Sequence, residues 1–418
     1  MNRFSKKLSC LLAASALFIG GCGASGSPDS TQQGAQPTDM DGTVSLRIWG
    51  AEEDAALLAQ ISSQFQAQYP DTQFDITIEA MSESDCKDEL LADINNAPDV
   101  FTFADDQLSA LAASGVLEPV ANADDIIARN SEGSVSAASI NDKLYAYPLT
   151  ADNGYFMFYN KEYFTDADLQ TLDGMLAVAS ANGKKITMDW SSGWYLYSFF
   201  GNTGLSVGLN EDGISNHCDW NSTSGSIKGT DVAEAMLAIA NNPGFLNGND
   251  SALVEGAKNG SVIAGISGVW SATAIEEAWG DNYGAVKLPT YTCAGQQVQM
   301  SSYAGYKMVG ANAYSPYAEW ASLFADFMSN EANQTLRFEQ RAQGPANKNA
   351  AASGAVAESP AIQALISQSS YASLQRIGAA YWSPVADFGA TMSSGSTGGQ
   401  ELQDIMDSLV KKITASNT

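Results

Sequence analysis

The stretch Val44-Ser45-Leu46-Arg47-Ile48-Trp49-Gly50 alternates apolar and polar side chains and is rich in β-forming residues, which predicts a strand. Immediately after it the period changes. Leu57, Leu58, Ile61 and Phe65 recur at helical spacing across residues 55–69, and a second strand is expected at 73–79. A helix around Cys86, a short apolar strand at 99–103 and a helix over 107–114 closed by Gly115 continue the pattern. Strands and helices alternating in this way build an α/β sheet with helices on its faces. Farther along, residues 233–240, 317–328 and 400–413 read as amphipathic helices, and 201–208, 241–250 and 393–399 as loops. No internal repeat is visible.

Upstream of this pattern the chain reads as an address. Arg3, Lys6 and Lys7 precede an almost wholly apolar run from Leu8 to Ile19, which ends in Gly20-Gly21-Cys22. That is a signal peptide over 1–21 in the lipoprotein form. Cys22 resembles the cysteine that receives a diacylglyceryl group before cleavage, so the mature protein is expected to be held to membrane lipid through Cys22, on the outer face of the cell membrane. A membrane-spanning anchor would need roughly 20 apolar residues, and the run is shorter. Acyl chains contribute about 0.8 kcal/mol per buried CH₂, so several on one cysteine anchor better than one. Residues 22–42 are Gly, Ser, Pro, Gln and Asp with Met40 as the only large apolar side chain, which makes them a tether that cannot bury a core.

Three of the 20 basic residues lie in the leader and none of the 47 acidic ones, leaving 17 against 47 in the exported part. So acidic a surface repels phosphate, which argues against nucleic acid as a partner. The composition is 45% hydrophobic and 10% aromatic, enough for packed domains rather than an acidic disordered tail, and the length favours two of them. Of the cysteines, Cys86, Cys218 and Cys293 fall in the folded part. Export permits a disulfide; Cys218 with Cys293, both in polar turn-rich segments, is the expected pair, and Cys86 is expected to pack as a small hydrophobe.

The chain contains no Walker A or H-E-x-x-H sequence, and no cofactor is expected. His217 is the only histidine, which removes a Ser-His-Asp triad or a multi-histidine zinc site. Glu52-Glu53 and Asp105-Asp106 are paired carboxylates of the kind glycoside hydrolysis uses. Neighbouring residues in a chain usually point different ways, so solvated acids or hydrogen-bonding ligands are the expectation, and a glycan-active enzyme is the competing reading.

Several segments taken together resemble the extracytoplasmic solute-binding proteins of carbohydrate ATP-binding-cassette importers, above all the maltodextrin binders among them. These are the opening strand Val44–Trp49, Ala97-Pro98-Asp99-Val100-Phe101, and Ser114-Gly115-Val116-Leu117. Lys143-Leu144-Tyr145-Ala146-Tyr147-Pro148 followed by Phe158-Tyr159-Asn160-Lys161 is the most specific of them, and Gly265-Ile266-Ser267-Gly268-Val269-Trp270 and Tyr283-Gly284 with Leu288-Pro289 complete the order. The resemblance implies a two-lobed periplasmic-binding-protein fold of type II, its lobes discontinuous in sequence and joined by a hinge: residues 43–151 plus 305–345 in the N-lobe, 152–304 plus 346–418 in the C-lobe. It further implies a monomer without enzymatic activity, which captures maltooligosaccharides and delivers them to membrane permease subunits driven by a cytoplasmic ATPase. A β-glucan, xylan or galactoside fragment is the alternative ligand.

Carried over residue by residue, the resemblance puts Phe103, Asp106 and Gln107 in a sugar-binding turn, Glu52 and Glu53 near the first loop, and Asp152 or Asn153 beside the hinge. Trp270 and Trp194 match stacking aromatics, and a last platform falls on Trp382 or Phe388. The residues themselves support a sugar site. A pyranose exposes C–H groups on its face and hydroxyls at its edge, so its cleft needs flat aromatic surfaces ringed by short polar side chains. Of the eight tryptophans, Trp49 and Trp320 sit in strand and helix patterns and are expected in the core. Trp194 and Trp270 adjoin glycines, which open space beside them.

Overall fold

The computed structural model describes residues 42–210 and 212–415. The expected signal peptide, Cys22 and nearly all of the tether lie outside the described residues.

Two sheets organise the chain. In the first, Val44–Gly50 lies between Phe74–Ala80 and Val100–Ala104, all three parallel. The helices Ala55–Gln68 and Cys86–Ala92 connect them, so this region is built from strand-helix-strand crossovers. Burial follows the alternation that the sequence announces. Val44, Leu46 and Ile48 point into the core with Leu57, Leu58, Ile61 and Phe65 of the helix packed on them. Phe65 sits at the centre of an aromatic group, 5.0 Å from Tyr69 and Phe324 and 5.4 Å from Phe74 by ring centroids. The long strand Ser302–Ala311 completes this sheet, antiparallel to Val100–Ala104 through residues 307–311 and to Tyr147–Gly154 through 304–309, with Ala372–Leu374 along 302–304.

The second sheet runs Phe245–Asn247, Lys185–Met188, Val262–Ser267, Phe156–Asn160, Tyr283–Val286. Its first three strands are parallel and the last two antiparallel to their neighbours. One face carries a core containing Trp190, Trp220, Tyr291 and Tyr381, and the other a smaller one around Phe156, Phe158 and Trp279. The core of the first sheet draws on residues from 44 to 149 and again from 306 to 328, and the larger core of the second on 155 to 303 and 381 to 413. Each lobe is therefore assembled from separated stretches of chain. Only Tyr155 lies between the strand Tyr147–Gly154 of one sheet and Phe156–Asn160 of the other. Fully buried, its hydroxyl donates to the Trp194 carbonyl at 2.8 Å and accepts the Tyr303 N–H at 3.3 Å.

The late helices fall close to where periodicity puts them, at Gly229–Ala240, Ala318–Met328 and Leu402–Ile413. Residues 241–250 are not all loop, because Phe245–Asn247 pairs with Lys185–Met188. Phe245 anchors that short edge strand with its ring 4.7 Å from that of Trp190, amid Asn, Pro and Gly that read as turn.

The expected Cys218–Cys293 bridge is absent, and Cys86, Cys218 and Cys293 are free thiols. The two have different neighbourhoods. Cys218 lies on the short antiparallel pair Val207–Leu209 and Asn216–Cys218, towards Tyr303 and Tyr381, whereas Cys293 ends the strand Thr290–Cys293 beside Tyr291. Burial pushes the thiols up, to about 12 for Cys86 and Cys218 and about 11 for Cys293, so each packs as an inert small hydrophobe.

One buried ion pair braces the first lobe. Asp54 and Arg337, each with a side chain 1% exposed, are paired, and Arg341 Nε adds a second bond to Asp54 at 2.8 Å. Burial alone would push the Asp54 carboxyl up, but the two guanidinium groups outweigh it and hold it below the ordinary carboxylate range. Its contribution to stability is therefore complete above that range and is lost as pH falls through the lowered value. Asp54→Ala leaves Arg337 buried without its partner and is expected to cost about 3–5 kcal/mol, read as a lower urea midpoint at neutral pH. An unchanged midpoint would contradict this role.

Candidate functional site

In open parallel sheets the loops after the strands' carboxyl ends are where ligands bind. Both sheets present such loops. The first carries Glu52 and Glu53 after Val44–Gly50, Glu83 after Phe74–Ala80, and Asp105 and Asp106 after Val100–Ala104. In the second, Lys185–Met188, Phe245–Asn247 and Val262–Ser267 run into the helices Gly193–Phe200, Asp250–Asn259 and Ala272–Trp279. A cavity of about 620 Å³ lies between the two sets. Glu83, Asp105, Asp106, Arg341 and Gln343 line it from the first lobe, and Val269, Trp270 and Thr273 from the second; Asp152, Asn153, Tyr306 and Lys307 come from the strands near the crossing.

The polar wall is wired. Asp105 is buried; its Oδ1 accepts the Tyr306 N–H at 2.8 Å and its Oδ2 accepts from Arg376 Nη1 at 2.7 Å. Burial raises its carboxyl above the ordinary range, with Arg376 opposing. Lys307 reaches Glu83 at 3.1 Å. Asp152, also buried and pushed up by desolvation, accepts the Gly344 N–H at 3.1 Å. Asp106 is exposed towards the cavity.

Trp270 is the large apolar feature of the wall. It is 50% exposed, in a single turn, Val269–Ser271, after the strand Val262–Ser267. A core tryptophan would be covered, as Trp190 and Trp220 are, so Trp270 offers a free ring face to the cavity.

Of the residues singled out in the sequence, Asp106, Asp152, Asn153 and Trp270 meet in this one cavity. Others do not. Phe103 is fully buried in the first core, its ring 5.7 Å from Phe101, because every residue from Val100 to Phe103 is covered on this central strand. Gln107 is buried too. Its Nε2 donates to the Glu83 and Ser84 carbonyls at 2.7 and 2.8 Å and its Oε1 accepts the Lys87 N–H at 3.0 Å, which staples the loop carrying Glu83 and leaves the amide no free group to offer. Phe388 belongs to the second core near Phe200. Trp382 is half-buried, edge-on to Tyr381 at 5.1 Å. Trp194 is half-buried, 5.4 Å from Tyr303 and 5.6 Å from Tyr155, outside the cavity lining. Glu52 and Glu53 are exposed on a turn, also outside it.

Sequence reasoning missed Glu83, Tyr306, Lys307, Arg341 and Gln343. Glu83 could have been found from its place after a parallel strand. Lys307 and Tyr306 carry no local signal, since they lie inside the strand Ser302–Ala311.

Residues 60–364 match the model of the bacterial extracellular solute-binding protein family. The chain belongs to that family. Among curated proteins, this solute-binding protein is 26% identical over 386 residues to the galactooligosaccharide-binding protein of Bacillus subtilis (strain 168), covering 88% of this chain and 87% of that one. The maltodextrin-binding protein MalE1 of L. casei BL23, solved without ligand, superposes with a TM-score of 0.76 at 22% identity, over 90% of this chain and all of that one, and this shows the shared fold. A structure solved with acarbose matches with a TM-score of 0.73 at 28% identity, over 89% of this chain and 99% of that one. The fold is thus the two-lobed type II fold of solute-binding proteins, placed outside the cytoplasm as the family is.

The exposure of Trp270 sets an expectation that separates platform from core. Trp270→Ala should change unfolding free energy by no more than about 1 kcal/mol, as surface substitutions do, while Trp190→Ala, fully buried, should cost about 3–5 kcal/mol. Parallel urea titrations check this, and equal losses would place Trp270 among structural residues.

Proposed function

We propose that the cavity binds a neutral oligosaccharide and that the protein hands it, enclosed between its lobes, to an ATP-driven membrane permease. The observation that carries this reading is Trp270, half-exposed in a wall richer in carboxylates than in cations. Glu83, Asp105, Asp106 and Asp152 line the cavity against Lys307 and Arg341, which disfavours a uronate or sulfated sugar, whereas Asp106, Asn153 and Gln343 offer the acceptors and donors that hydroxyls use. The ring supplies the apolar face that a pyranose stacks on.

Maltooligosaccharides are the first reading of the ligand, supported by the relative solved with acarbose at 28% identity. Galactooligosaccharides are the second, favoured by the Bacillus relative, which is matched over 88% of this chain. Isothermal calorimetry with maltotriose, β-1,4-galactotriose, xylotriose and cellotriose decides between them; maltotriose is expected to bind and the β-linked sugars to bind more weakly. Tightest binding of galactotriose would establish the second reading, and binding of none would overturn the site. Cleavage of maltotriose in the same solutions would favour a glycan-active enzyme.

Residues 43–151 with 305–345, and 152–304 with 346–418, are taken as the two lobes, hinged at the crossing strands, so that ligand draws them together. Anchoring through an acylated Cys22 fits the leader. Cys22→Ser is then expected to appear in the soluble fraction, and its retention on membranes would contradict the anchor.

A further inference from the structure

Asp250 lies outside the cavity lining, and among the described residues its hydrogen bond to that lining is the one with Trp270. The indole Nε1–H of Trp270 donates to Asp250 Oδ2 at 2.8 Å. The other carboxylate oxygen, Oδ1, accepts from the Ser267 hydroxyl at 2.7 Å and the Tyr195 hydroxyl at 3.0 Å. Ser267 is fully buried and Tyr195 nearly so, so the carboxylate is clamped from the sheet side before it reaches the indole. Asp250 opens the helix Asp250–Asn259, whose first turn is fixed by the Asn249 side chain accepting the Ala252 N–H at 3.0 Å. Every link from the sheet to the indole is therefore held.

The ring has a floor as well. A Cβ on Gly268 would fall 2.2 Å from Trp270 ring atoms, so the indole lies directly on the Gly268 backbone. The glycine φ is −103°, a value any residue adopts, and the requirement here is for space alone. One edge of the indole is tied and one face is seated, while half of the side chain remains open to the cavity. A free surface tryptophan would lose rotamer freedom on meeting a ligand, and presetting the ring removes that cost.

We propose that Asp250 is a positioning residue for ligand binding, holding Trp270 preset against Gly268 as a rigid stacking platform. This rests on the reading of the cavity as a sugar site. A charge-assisted hydrogen bond of this kind corresponds to roughly tenfold in affinity.

The test uses the full soluble chain with ¹⁵N-labelled indoles, the Trp270 resonance being assigned by its loss in Trp270→Phe. Without any sugar, the Trp270 indole N–H should exchange with water at least about tenfold faster in Asp250→Ala than in the parent. Equal exchange rates would overturn the proposal. In calorimetry with maltotriose, or with galactotriose if that is the sugar bound, Asp250→Ala should weaken binding about tenfold in the Trp270 protein and less than about twofold in the Trp270→Phe background. A similar loss in both backgrounds would mean that Asp250 acts on the fold or the sugar directly, which also overturns it. If Asp250→Ala does not fold, Asp250→Asn and Gly268→Ala take its place. Gly268→Ala pushes the ring off its seat and should weaken binding only where Trp270 is present; an equal effect in Trp270→Ala would refute the seat. Failure of both sugars to bind the parent would count against the ligand reading, while the exchange measurement would still decide the role of Asp250.

Discussion

A charge taken out of water must be met by an opposite charge or a set of donors, and in this protein that requirement organises the cleft. Asp54 is answered by Arg337 and Arg341, Asp105 by Arg376 and the Tyr306 N–H, Glu83 by Lys307. Each pairing joins pieces of chain far apart in sequence. Asp105 alone links the end of the strand Val100–Ala104 to the long strand Ser302–Ala311 and to the segment after Ala372–Leu374. Such pairs add little net stability compared with apolar packing of the same volume, but breaking one is costly. They fix how the walls meet, and what stays open in the lining is one aromatic face among short polar side chains.

The two walls divide the work by composition. The first lobe brings carboxylates on the loops after its parallel strands, and the second brings an indole on the turn after Val262–Ser267. Both follow from the same geometric fact, that the carboxyl ends of parallel strands share one edge of a sheet.

That fact also explains what could be read in advance. The alternation at Val44–Gly50 and the helical spacing of Leu57, Leu58, Ile61 and Phe65 are local patterns, and the structure follows them closely. Asp106 was legible from the family resemblance, and Trp270 from that resemblance and the glycines beside it; both lie on turns that follow strands of the two sheets. Phe103 and Gln107 stand beside Asp106 in sequence but turn inward, since on a strand covered on both faces, and in the tight turn after it, direction is set by packing that no short window reveals. Lys307 faces the cavity from mid-strand through pairing with a partner some 150 residues away. The pairing of Cys218 with Cys293 failed for a related reason. Two turn-rich segments of one lobe need not bring their thiols together, and here both thiols pack unbridged against the same core.

Tyr155 carries a further consequence. Gly154 is registered against Ala304 in one sheet and Phe156 against Ser267 in the other, so a single residue connects two hydrogen-bonded ladders. Strand side chains alternate with a period of two, and a slip of one residue turns every side chain to the opposite face. A one-residue insertion or deletion at this junction would therefore have to invert the inside and outside of one lobe or tear out its ladder. The later passage around residues 342–360 is under no such rule, because it contains short helices and turns. An insertion there need not shift either ladder, whereas the junction at Tyr155 couples the registers of both sheets.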